Sequence, residues 1–272
     1  PKDLRMLVPP MGPQTVEELA AAEALERLEQ LVEPFRRRGV EIDTDVLLGD
    51  PCQELVREAA RRNHDLLLVA ADGRPGLRDR IFGSTALQLM RKCLCPVWVV
   101  RDSEQPRYGR IVAAVNPENG DENKRLLSRN ILEVAAALAR FEQSQLDILH
   151  VWDLSLEKTF RRRAGLSRQE IGSMIQTVFA SAKRSLQELV GQADLQGIQY
   201  RLHLTRGKPA PAIAEFARRT GVDLLVMGVM QRTGAAALLA ANCAEEVLKE
   251  LDCSILTIRQ EVSRTPAKQQ AA

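Results

Sequence analysis

Apolar residues along this chain keep two rhythms, and the two alternate. Short unbroken runs stand at Arg110–Val115 (RIVAAV), Leu146–Trp152 (LDILHVW), Ile198–Thr205, Asp223–Gly228 (DLLVMG) and Ser254–Ile258. Runs of this kind, apolar on both sides, predict strands buried on both faces of a parallel sheet. Between them the apolar residues fall at helical spacing. Leu127, Ile131, Val134, Leu138 and Phe141 mark one helix over Lys124–Phe141; Ile171, Ile175, Phe179, Leu186 and Leu189 mark a long one over about Arg168–Leu195. Pro209 and Pro211 open a further helix with Ile213, Phe216 and Ala217 inward, and Gly221 closes it in left-handed geometry. Ala235–Leu251 supplies the last helix. Strands alternating with helices predict right-handed crossovers with helices on both faces, a doubly wound α/β fold.

The N-terminal part repeats this pattern. A shift of 158 positions overlays Gly39–Arg101 on Gly197–Arg259 without a gap. Gly49 meets Gly207, Pro51 meets Pro209, Asp65 meets Asp223, Cys95 meets Cys253 and Arg101 meets Arg259. A period of that length is a duplicated domain and not a solenoid repeat. Leu4–Val8 aligns with the second strand of the later copy, and Thr15 with Glu18 predicts a capping box for a helix over Val16–Arg37 that Gly39 ends. The first strand and first helix have no counterpart in the first copy; truncation and omission both account for that, and omission is the expectation, because a unit missing its central edge would be less stable. The expected organisation is a shortened first domain over 1–101, a linker over 102–109, a second domain over 110–260 and a mobile tail over 261–272.

Charge and cysteine content narrow the classes. The net charge is +2, which gives no electrostatic basis for nucleic-acid binding, and no apolar run is long enough to span a membrane. Five cysteines in a chain without a secretory leader predict reduced thiols and a cytoplasmic location. Cys93-Leu94-Cys95 is half a metal site with no second pair at finger spacing, so buried thiols are the expected reading and no metal is assigned. No Gly-Lys-Ser/Thr follows a glycine loop, and no nucleophile–histidine set emerges, so no catalytic residue is assigned. His64 reads as a surface group, and Trp98 and Trp152 as packing residues. Arg161–Arg163 reads as a solvated loop, with closure over an anion as the sharper alternative. Arg36–Arg38 suits a helix C-terminus.

Between the fourth and fifth strands the sequence resembles the universal stress protein family, in its tandem E-type form. The first copy has Gly73, then nine residues, then Gly83-Ser84, followed by Cys95-Pro96-Val97; LMRKCLCPVWVVRD and IVAAVN carry the rest of the likeness. The resemblance implies two adenine-nucleotide-hydrolase-like domains of mainly parallel five-stranded sheets. It implies too that each domain pairs through its last strand, so that one chain forms an internal pseudo-dimer, with a homodimer as the further association. ATP or AMP with Mg is the implied ligand. In the first copy Gly73, Arg74, Gly83 and Ser84 would hold phosphates, with Val8 under the base. Glycine there allows positive φ and close backbone approach to an anion. In the second copy the frame reads Gly228, Gln231, Arg232, Ala241 and Asn242, and Asn116 stands where nucleotide-binding members carry aspartate. Side chains at left-handed positions cost roughly 1–2 kcal/mol each, so two replacements weaken binding about a hundredfold. That leaves Asn116, Gly228, Arg232 and Asn242 as the doubtful second site.

The expected function is that of a non-enzymatic regulator of the stress response sensing an adenine nucleotide in the first domain. The rivals are a carrier of a non-nucleotide small molecule, suggested by Ala235–Ala237, Ala240 and Ala241, and a slow ATP hydrolase.

Overall fold

The structure, a computed structural model, describes residues 13–71, 84–101, 107–118, 120–153, 167–229, 246–247, 250–251 and 253–259. It divides into two compact units, 1–58 and 59–272.

The second unit holds one seven-stranded sheet. Its strands are β1 (Leu67–Ala70), β2 (Val97–Val100), β3 (Arg110–Val115), β4 (Gln145–Trp152), β5 (Tyr200–Arg206), β6 (Leu224–Val229) and β7 (Ser254–Arg259), in the order β1-β2-β7-β6-β3-β4-β5. Every neighbouring pair is parallel except β2 with β7. The duplication seen in the sequence is therefore physical. Leu67 pairs with Val97 as its equivalent Leu225 pairs with Ile255, and at the antiparallel seam Trp98 faces Leu256, its own counterpart in the repeat. A pseudo-two-fold axis runs through that seam, and the last strands of the two copies pair inside one chain. The predicted strands at Arg110–Val115, Leu146–Trp152 and Ser254–Ile258 lie within observed strands, while those at Asp223–Gly228 and Ile198–Thr205 start one and two residues before β6 and β5.

Helix α4 (Glu122–Glu142) lies across β3, β6 and β4 and buries Leu127, Ile131, Leu132, Ala135, Ala136 and Ala139 against Ile111, Ala113, Val115, Ile148 and Val226. Asp121 caps its start by accepting the Lys124 N–H at 3.2 Å. Phe141, expected inward, is 83% exposed, because the last turn of α4 lies past the buried stretch and ends at left-handed Gln143. Helix α5 (Arg168–Gly191) joins the same cluster through Leu186 and Leu189; it begins in a Ser167–Glu170 capping box and stops short of the expected Leu195. Helix α6 (Pro209–Thr220) takes the opposite face. Its Phe216 packs on His203, whose Nε2 meets Asp147 Oδ1 at 2.8 Å, and Asp147 points away from its neighbour Ile148. Gly221 ends α6 at φ 62°, as its sequence position requires. Helix α3 (Ser84–Lys92) precedes β2.

Unit 1–58 holds α1 (Pro13–Arg36) and most of α2 (Pro51–Arg61). Because α1 starts at Pro13, Thr15 sits inside the helix and is not its N-cap. Gly39 does end it, at φ 86°. Arg36 turns back to donate to the Ile42 carbonyl at 2.7 and 2.9 Å and to pair with Glu29, which fixes the turn after the helix. The stretch 40–48 joins no ladder, although its repeat equivalent is β5. In the second copy β3 sits between β6 and β4 and carries β4 and β5 outward. Leu19, Leu31, Phe35 and Leu48 are exposed.

The predicted burial of thiols holds for Cys52, Cys93 and Cys253, while Cys95 is half-buried. His64 is exposed, Trp152 is buried, and Trp98 packs against the core and against Tyr108 with ring centroids 5.7 Å apart. Val8, Gly73, Arg74, Gly83, Arg161–Arg163, Gln231, Arg232, Ala241, Asn242 and Cys243 lie outside the described residues, as does most of the helix expected over Ala235–Leu251. No described helix is long and apolar enough to cross a membrane.

Candidate functional site

In an open parallel sheet a ligand crevice forms where successive crossovers leave a central strand in opposite directions. Here that strand is β3: the chain moves outward to β4 and β5, then returns on the other side as β6. At the carboxyl ends of β3, β6 and β4 lies a cleft of about 330 Å³. Ala114 and Val115 come from β3, Met227 and Gly228 from β6, and Leu149 and Val151 from β4. Lys124, Leu127, Ser128 and Ile131 close it from α4, and Pro209 and Ile213 from α6.

Local structure places each group. Asn116 follows β3 with its side chain exposed, and its N–H donates to buried Ser128 Oγ at 3.0 Å, which ties the turn to α4. Both α4 and α6 begin beside the cleft, but Asp121 already caps the first, and Pro209 and Pro211 bring no N–H to the second. Lys124 is committed elsewhere: its ammonium lies 2.5 Å from Glu118 and 3.8 Å from Asp121. The polar groups are therefore few, and the walls are mostly aliphatic.

Of the expected second-site residues, Asn116 and Gly228 do line one cleft. Gly228 has a stronger reason to be glycine than phosphate approach. A Cβ there would stand 2.7 Å from Leu127 Cδ2 and 3.1 Å from Ile131 Cδ1, so its absence lets α4 press onto β6. Ser84 of the expected first site begins α3. The composition of the cleft walls was not read from the sequence, although Leu149, Val151 and Ile213 sit at strand and helix ends that the apolar pattern marks.

On the other side of β4, a second concavity of about 220 Å³ is lined by Glu118, His150, Trp152, Asp153, Ser181 and Ser185. His150 is 2% exposed, pairs in register with Val115, and its Nδ1 lies 3.0 Å from the Val115 carbonyl. A carbonyl only accepts, so Nδ1 carries the proton. Burial holds the His150 pKa below 6.5, against the smaller upward pulls of that hydrogen bond and of Glu118. The unfolded chain thus takes up a proton that the folded one resists. Stability from this group is complete above about pH 6.5 and falls as the pH drops toward the lower folded value. Denaturant unfolding from pH 7.5 to 5 should show a loss of up to about 1.4 kcal/mol per pH unit. His150→Gln should flatten that slope; an unchanged slope would place the acid sensitivity elsewhere.

A doubly wound sheet, duplicated about its last strand and with a cleft at its switch point, defines a class of tandem α/β proteins. The universal stress protein family profile matches residues 2–101 and 108–259, and the chain belongs to that family, as a tandem of two such domains. It is 26% identical to universal stress protein E of Photorhabdus laumondii over 98% of this chain and 84% of that one, and 28% identical to universal stress protein E of Escherichia coli over 86% and 73%. Among solved structures, a functionally unknown protein of Pseudomonas aeruginosa superimposes with a TM-score of 0.69 at 24% identity, covering 86% of this chain and 77% of that one. A universal stress protein of Archaeoglobus fulgidus gives 0.60 at 16% identity, covering 91% and 80%.

Proposed function

We propose that this chain is a non-enzymatic regulator in the stress response whose second copy reads a small ligand in the cleft at the ends of β3, β4 and β6. The observation that carries this reading is the cleft itself. Its 330 Å³ falls within the range of ligand pockets, and it sits at the switch point where open α/β sheets bind. Aliphatic walls from Val115, Leu127, Ile131, Val151 and Ile213 suit a flat or hydrocarbon body, and Asn116 offers a polar contact at the edge. The first copy, with Gly73, Gly83 and Ser84 in the family's phosphate-loop spacing, is proposed to take an adenine nucleotide.

Calorimetric titration of the chain with ATP and Mg, against Gly83→Val and Ile213→Trp variants, separates the two. Binding lost only in Gly83→Val assigns the nucleotide to the first copy. Binding lost only in Ile213→Trp assigns it to the β3–β6 cleft. Silence in all three removes the nucleotide reading, and native mass spectrometry of the purified chain then tests the carrier reading by a retained mass adduct. Phosphate release above that of Gly83→Val would overturn the assignment as a non-enzyme.

A further inference from the structure

The pseudo-two-fold seam places each copy's last-strand arginine against the other copy's helix end. Arg259, at the end of β7, donates through Nη2 to the carbonyls of Met90, at 2.7 Å, and Arg91 in the last turn of α3. Its equivalent Arg101, beyond β2, donates to the carbonyl of Leu251 at 3.3 Å. Each arginine thus answers the negative end of a helix across the axis. The two sides differ in one respect. Beside Arg101 stands a single thiol, Cys253, with Leu251 where the first copy has Cys93. Beside Arg259 stand two thiols, Cys93 and Cys95, whose sulfurs are 3.4 Å apart.

Arg259 is 7% exposed, and its Nε and Nη1 have no hydrogen-bond partner. Cys93 and Cys95 are free, neither joined in a disulfide. A buried guanidinium with two nitrogens left without an acceptor is an incomplete arrangement: a buried cation calls for a paired anion.

We propose that Cys93 and Cys95 form a two-sulfur site for a soft monovalent metal ion, Cu(I), with Arg259 as its counter-charge. Thiolates select Cu(I) among the available ions, whereas zinc asks for four ligands. Among the described residues no group of three or more His, Cys, Asp or Glu could hold a metal, so the site offers two sulfurs and a d10 ion content with two. On binding, two S–H bonds give way to two Cu–S bonds, two protons leave, and no electron moves. The resulting dithiolate complex carries one negative charge, which Arg259 neutralises. With metal–sulfur bonds of about 2.3 Å, the sulfurs would open from 3.4 to about 4.6 Å at most, and half-exposed Cys95 is free to supply that movement.

The test is anaerobic titration of the fully reduced chain with Cu(I) against a chromophoric Cu(I) chelator. The chain should withdraw one equivalent. Cys93→Leu copies the residue the second copy uses at this position, so it should fold, and it should lose affinity by more than about 100-fold, beyond what an outer-shell change costs. Cys253→Ser should leave binding unchanged, and Arg259→Met should weaken it about 10–100-fold. Retention of copper by Cys93→Leu, equal loss in Cys253→Ser, or preferential uptake of Zn(II) over Cu(I) would each overturn the site. X-ray absorption should count two sulfur neighbours; three or more would also overturn it.

Discussion

Ile255→Asp should unfold the 59–272 unit or bring it close to unfolding. Ile255 is fully buried in β7, between Leu225 of β6 and Val99 of β2, at the seam that joins the two copies. The substitution removes a buried aliphatic side chain and puts a carboxylate in its place with no cation opposite. Each effect costs several kcal/mol, and together they rival the 5–15 kcal/mol that separates a folded protein from its unfolded chain. Ile255→Val, which keeps the seam apolar, should cost only about 0.5–1.5 kcal/mol. Thermal unfolding followed by circular dichroism distinguishes them. A melting temperature for Ile255→Asp within a few degrees of the parent would mean that the seam is open to water.

Gly228→Ala should destabilise by about 1–3 kcal/mol, the cost of overpacking a close-packed interior. The added methyl would fall on Leu127 and Ile131, which belong both to the α4 core face and to the wall of the cleft. A shift of roughly 2–4 °C in Tm per kcal/mol is expected for a unit of this size. Ligand affinity should fall with it, because α4 must move to admit the methyl. The double variant Gly228→Ala, Leu127→Ala opens the space again and should recover part of the loss. No recovery would mean that Gly228 is needed for backbone conformation and not for the approach of α4.

Much of this architecture was legible without coordinates because it rests on local chemistry. Buried parallel strands announce themselves as unbroken apolar runs, and Gly39 and Gly221 take the left-handed turns that other residues resist. The family resemblance implied the pairing of last strands, and Trp98 does meet its own counterpart Leu256 across the seam.

The rest depended on distances the sequence does not encode. Gly228 reads along the chain as a phosphate-loop glycine, yet the 2.7 Å approach of Leu127 comes from a helix a hundred residues away. Phe141 keeps helical spacing but outruns the sheet it would cover. The 40–48 stretch carries the pattern of β5 but joins no ladder, because a strand is stable only beside a partner with its hydrogen-bonding edge free. Arg101 and Arg259 look alike in the repeat, and only the fold shows each capping the opposite copy's helix, one beside a single sulfur and the other beside two. Sequence thus determined the elements, their order and the duplication, through side-chain periodicity and backbone preference. Tertiary structure decided which of the marked residues meet, because packing distance and strand partnership are properties of the whole chain.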